Sequence, residues 1–120
     1  VQVFPLQNPA VKELLADAGA AESSGNYDQA AMLLERALRI QPNDPEILQN
    51  MAEVQLHVND FEQALHFASR SYDIGPRVGE ICSRNWRTIS VAREYLGDTA
   101  GSIEAEQKAS ACMNTRPKRL

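Results

Sequence analysis

Apolar residues recur at three- and four-residue spacing along most of the chain, and short joins containing Gly, Asn or Asp interrupt the pattern. That spacing is typical of amphipathic α-helices. It predicts six helices, over residues 9–23, 27–40, 45–58, 61–74, 78–96 and 99–113. Asn8 and Asp44 each precede a proline, so a capping side chain stands before a residue suited to the first helical position. The sequence therefore predicts an all-α fold.

The helical pattern repeats with a period of 34 residues. The sequence Gly-Asn-Tyr-Asp-Gln-Ala at 25–30 recurs as Asn-Asp-Phe-Glu-Gln-Ala at 59–64, and the same shift relates Leu14 to Leu48. A third copy, marked by Trp86, follows after four additional residues. Repeats of this length are typical of helical arrays in which each unit packs on its neighbours.

The four additional residues fall most economically near 77–82. Because four residues approximate one helical turn, we expect them to lengthen the start of the fifth helix by about one turn. In the third copy, Thr99 stands where the other copies have an aromatic residue, and Ser102 stands where they have alanine. Its last helix is also polar, which suits a terminal repeat that faces water.

The repeated positions resemble those of the tetratricopeptide repeat, a 34-residue helix-turn-helix unit. The matching residues are Leu14, Ala18, Gly25, Tyr27, Ala30, Leu34, Ala37 and Pro42 in the first copy and Leu48, Ala52, Phe61, Ala64, Ala68 and Pro76 in the second. The resemblance covers about residues 11–114. It implies a right-handed α-solenoid of three antiparallel helix-turn-helix repeats, at about 11–44, 45–78 and 83–114, between an extended lead-in at 1–10 and a basic tail at 115–120.

Length and charge exclude several classes of function. The 120 residues fit one domain, and 16 Asp and Glu against 12 Lys and Arg give a net charge of −4, which argues against a nucleic-acid partner. No apolar run reaches the roughly 18 residues of a membrane helix, so no direct membrane span is expected. Because the sequence starts at Val1, a leader, an anchor or further domains can have preceded it.

The chain offers little material for catalysis or metal binding. Glu53 with His57, and Glu62 with His66, are spaced i,i+4 and could each supply half of a metal site. Such pairs are far more often surface pairs on a helix. We therefore expect no enzyme activity, no cofactor and no metal.

Cys82 and Cys112 are the only cysteines, and they lie equally far from the turn at Gly97. In an antiparallel hairpin they should lie at the same end, so a disulfide is geometrically feasible. Two buried free thiols are the alternative. A disulfide would indicate an oxidising compartment, and with the resemblance it favours a periplasmic or outer-membrane-associated protein over a cytoplasmic one.

The family resemblance also predicts where a partner binds. In similar proteins the first helix of each hairpin lines a concave groove that holds a peptide or a partner helix. The corresponding residues here include Lys12, Gln49, Asn50, Glu53, His57, Arg84, Arg87, Val91 and Glu94. Arginine holds carboxylates through paired hydrogen bonds, so Arg84 and Arg87 favour an acidic or carboxylate-bearing segment.

Some family members hold a chaperone C-terminus in a carboxylate clamp. Asn50 and Arg84 match that clamp, whereas Leu15, Gly19 and Thr88 replace its Lys, Asn and Arg, which argues against chaperone-tail recognition here. The expected function is a non-enzymatic adaptor that binds a protein segment, with envelope or pilus assembly as its setting. The alternative is a homo-oligomerisation module of a larger protein.

Overall fold

A computed structural model of the protein describes residues 8–113 and contains six α-helices in that range. They are α1 (Pro9–Ser23), α2 (Tyr27–Ile40), α3 (Pro45–His57), α4 (Phe61–Ile74), α5 (Glu80–Tyr95) and α6 (Thr99–Cys112). The prediction of an all-α fold is confirmed, and the predicted helix ends agree within two residues. The lead-in assigned to residues 1–10 is wrong at its last two residues, because α1 begins at Pro9. The rest of the lead-in and the tail at 115–120 lie outside the described residues.

Aspartate or asparagine side chains cap the N-termini of four helices. Asn8 caps α1, Asp44 caps α3, Asp60 caps α4 and Asp98 caps α6, and each side-chain oxygen accepts a hydrogen bond from a backbone N–H of the first turn. These N–H groups have no partner inside the helix, so the cap satisfies them. Residues next to each of these helix starts therefore determine where the helix begins.

The four inserted residues change the start of α5. This helix begins three residues before the position that corresponds to Pro45 of α3, so the insertion adds nearly one turn, as expected. Gly79 precedes the helix with a φ of 93°, a backbone conformation that L side chains rarely adopt. Its N–H donates to the carbonyl of Cys112 at 2.8 Å, which joins the start of α5 to the end of α6.

The six helices form three hairpins that stack in order. Each hairpin packs its own two helices together, α2 packs on α3, and α4 packs on α5. Ala18, Ala30, Ala52 and Ala64 are buried, with at most 3% of their surface exposed, so small side chains lie where the helices approach closely. Two apolar clusters result, one centred on the first two hairpins and one on the last two.

The second cluster contains the disulfide. Cys82 and Cys112 are bonded, with their Cα atoms 5.7 Å apart, and both are almost fully buried. The bridge therefore lies where the hairpin geometry predicts it. Within residues 8–113, none of the helices is both long and apolar enough to cross a bilayer.

Candidate partner-binding groove

Arg84 of α5 reaches across to α3 and is held there by two side chains. Its Nη2 donates to Glu53 Oε1 at 2.6 Å and to Asn50 Oδ1 at 3.0 Å, and its Nε donates to Glu53 Oε2 at 3.1 Å. The hydrogen bonds to Glu53 raise the pKa of the Arg84 guanidinium above its usual value, although burial opposes them. A bidentate pair of this kind fixes geometry as well as charge. The carboxylate that Arg84 was expected to take from a partner is thus supplied by its own chain.

A histidine–carboxylate contact joins α1 to α3. His57 Nε2 lies 3.3 Å from Glu22 Oε2, and the His57 ring stacks on Tyr27 with centroids 4.7 Å apart. Burial and the nearby Glu53 carboxylate raise the pKa of Glu22, while His57 and Arg84 act in the opposite direction. His57 therefore contacts residues of the neighbouring first hairpin.

These two pairs line one side of an open cleft, which we call the concave cleft. It has a volume of about 430 Å³, and every residue that lines it comes from the first helix of a hairpin. The lining residues are Glu22, Glu53, Leu56, His57, Arg84, Arg87, Thr88 and Val91. Apolar side chains at Leu56 and Val91 thus lie among charges of both signs.

Arg87 differs from Arg84 in its surroundings. It is exposed and forms no ion pair within residues 8–113. Val91, one turn further along α5, is 41% exposed. The cleft therefore offers a cation and an apolar side chain on one helix face, where both can contact a bound chain.

Five of the nine sequence-predicted groove residues line the concave cleft. They are Glu53, His57, Arg84, Arg87 and Val91, and Asn50 contacts the cleft through Arg84. Lys12 and Glu94 are exposed but do not line it. Gln49 is 0% exposed, so its assignment to an accessible groove is wrong. The physical reason is that α3 is the central helix, with both α4 and α5 packed on it.

The predicted groove residues did not include Glu22, Leu56 or Thr88. Glu22 lies three residues after Gly19 and Leu56 lies three residues after Glu53, so i,i+3 spacing could have found both. Thr88 was noted only as a replaced clamp position, and 3% of its surface is exposed. No cluster of three or more His, Cys, Asp or Glu suitable for a metal occurs in the part of the chain that the structure describes.

Comparison with known proteins identifies similar sequences and folds. A family model described as the tetratricopeptide repeat matches residues 21–71. The globular C-terminal domain of P. aeruginosa LpoP is 35% identical, has a TM-score of 0.81, and is matched over 88% of this chain and 99% of its own. No curated protein sequence matches this chain.

Two further solved structures share the fold. The Sgt2 TPR domain from Aspergillus fumigatus is 27% identical over 88% of this chain and 67% of its own, with a TM-score of 0.80. PcrH, solved in complex with the chaperone binding region of PopB, is 17% identical over 96% of this chain and 90% of its own, with a TM-score of 0.81. At that identity the likeness to PcrH shows the fold alone.

Proposed function

Because this chain belongs to the tetratricopeptide repeat family, we propose that it is a non-enzymatic adaptor that holds a segment of a partner protein in the concave cleft. The observation that carries the proposal is the exposed pair Arg87 and Val91 on the cleft-facing side of α5. Stacked hairpins of this kind form extended binding surfaces. PcrH, with the same fold, is in complex with a segment of another protein, which supports this mode of binding.

The charges of the cleft define the partner we propose. Arg84 is already neutralised by Glu53, whereas Arg87 is the exposed cation beside an apolar side chain. A segment with an acidic residue close to an apolar one would pair with Arg87 and bury Leu56 and Val91. Displacing Glu53 from Arg84 would break a part-buried, hydrogen-bonded ion pair, so we assign recognition to Arg87 instead.

The proposal extends to the compartment. The Cys82–Cys112 disulfide supports an oxidising setting, and we propose the bacterial periplasm or the outer-membrane surface, with a role in envelope or pilus assembly. Trapping thiols with an alkylating reagent in intact cells tests this proposal, because the disulfide form should be protected from modification. Complete modification of both cysteines before lysis would favour the cytoplasm.

Affinity capture from native extract with matched variants tests the binding site. Arg87→Glu with Val91→Asp reverses the charge and removes the apolar contact in the cleft. Arg70→Glu with Ile103→Asp makes the same two kinds of change at exposed positions of α4 and α6. Both variants should keep the helical content of the original protein by circular dichroism.

A partner that binds in the concave cleft should be captured by the original protein and by the α4/α6 variant, and lost with the cleft variant. Mass spectrometry then identifies it. Retention by both variants, or equal loss from both, would contradict the assignment of binding to this cleft.

A further inference from the structure

The first hairpin has a second cleft, at the free end of the array. It has a volume of about 480 Å³ and is lined by α1 and α2 alone, so no other described helix covers it. Its floor is apolar and includes Leu14, Leu33 and Ile40, and Ile40 is 45% exposed. We call this surface the end cleft. It shares no residue with the concave cleft.

The rims of the end cleft carry opposite charges. Glu13 and Asp17 lie on α1, and Arg36 and Arg39 lie on α2. All four are exposed, and none forms an ion pair within residues 8–113. The surface is therefore an apolar strip with an acidic row along one edge and a basic row along the other.

We propose that the end cleft is a two-fold interface between two copies of this chain. A two-fold axis that lies in the interface and runs parallel to the helices sets α1 of each copy against α2 of the other. Glu13 and Asp17 of each copy then face Arg36 and Arg39 of its partner, and the apolar floors meet between them. An axis perpendicular to the helices would instead set like charges together. The charge pattern is thus self-complementary in only the first arrangement.

The size of this face predicts the strength of the dimer. A face two helices wide and fifteen residues long measures roughly 20 by 22 Å, given 1.5 Å of rise per residue and helices 8–10 Å apart. That footprint falls in the class of weak, transient interfaces. We therefore expect a dimer that forms at high protein concentration and weakens with added salt. Each copy would keep its concave cleft open, so the inference is separate from the adaptor function.

Sedimentation equilibrium of complementary charge variants tests the interface. Glu13→Lys with Asp17→Lys makes both rims basic, and Arg36→Glu with Arg39→Glu makes both rims acidic. Each variant alone should remain at the monomer mass of 13.3 kDa, whereas their equimolar mixture should move towards twice that mass. The original protein should show the same shift, which added salt reduces. As a matched control, Glu62→Lys with Glu106→Lys changes the net charge by the same amount on α4 and α6 and should leave the dimer intact.

Several outcomes would overturn the proposal. One is an original protein that stays monomeric up to about 500 µM, a range that includes the affinities of weak complexes. Another is a dimer that survives in both charge variants alone. If the full chain is monomeric but a truncation that removes residues 1–7 dimerises, the lead-in and not a second copy occupies the end cleft.

Discussion

Loss of the Cys82–Cys112 disulfide should destabilise the third hairpin most. The bridge spans 30 residues, and the loop-entropy relation gives a loss of about 3.5 kcal/mol in the free energy of unfolding when a loop of that length is opened. If the whole chain unfolded in one step, 1 kcal/mol would correspond to about 4 °C and the Tm would fall by about 14 °C for every probe alike. Because the repeats pack only on their neighbours, the effect should be largest next to the bridge.

The single tryptophan makes this effect measurable. Trp86 belongs to the same buried cluster as both cysteines and packs edge-on against Tyr72 at 4.9 Å. Urea unfolding of the oxidised and reduced proteins can be followed by Trp86 fluorescence and by circular dichroism at the same time. In the reduced protein, the fluorescence transition should move to lower urea than the circular-dichroism transition. A variant with Cys82→Ala and Cys112→Ala should show no response to the reductant.

Two results would refute this reasoning. Equal unfolding free energies for the oxidised and reduced proteins, with thiol titration confirming complete reduction, would mean that the bridge does not restrict the unfolded chain as assumed. A loss of stability in which both probes move together would mean that the three hairpins unfold as one unit.

Three further substitutions test the packing and the electrostatics. Ser71 Oγ donates to the Pro45 carbonyl and accepts from Asn85 Nδ2, both at 2.8 Å. Because Ser71→Ala leaves both partners unsatisfied, it should lower the free energy of unfolding, measured in urea, by about 2 kcal/mol. A loss below about 0.5 kcal/mol would contradict this. Ala64 is fully buried, so Ala64→Leu should cost about 1–3 kcal/mol through overpacking, and an unchanged Tm would disprove the close helix contact. Because the folded-state pKa of Glu22 is raised above 4.5, its stabilising effect is full below that pH and is lost as pH rises through the raised value. Glu22→Gln should therefore gain stability relative to the original protein as the pH rises above 4.5 in thermal melts, and a constant or opposite difference would refute this sign.

The fold could be predicted from sequence because the 34-residue repeat determines both where the helices lie and how they pack in hairpins. Equivalent small residues such as Ala30 and Ala64 are both buried at helix contacts, so the 34-residue shift predicts hairpin packing as well as helix positions. Cysteines equally far from Gly97 also predicted that the two side chains lie close together, since an antiparallel hairpin brings such positions to the same end.

The groove could be predicted only in part, because its chemistry depends on pairing between hairpins. The family resemblance placed Arg84 among residues that line the concave cleft, but it did not predict that Glu53 and Asn50 would bind its guanidinium. The burial of Gln49 depends on the packing of α3 between other helices, which periodicity within one helix does not report. The charge rows of the end cleft were not predicted either, because they form only when α1 and α2 lie side by side.

Site-specific photo-cross-linking in living cells tests partner binding in the concave cleft most directly. A benzophenone amino acid at Val91, which is 41% exposed in the cleft, is compared with the same amino acid at Ile103, which is 53% exposed on α6. We expect a specific protein adduct from position 91 that is absent from position 103. Adducts from position 103 alone, or none from position 91 in cells that contain the partner found by affinity capture, would contradict binding in the cleft.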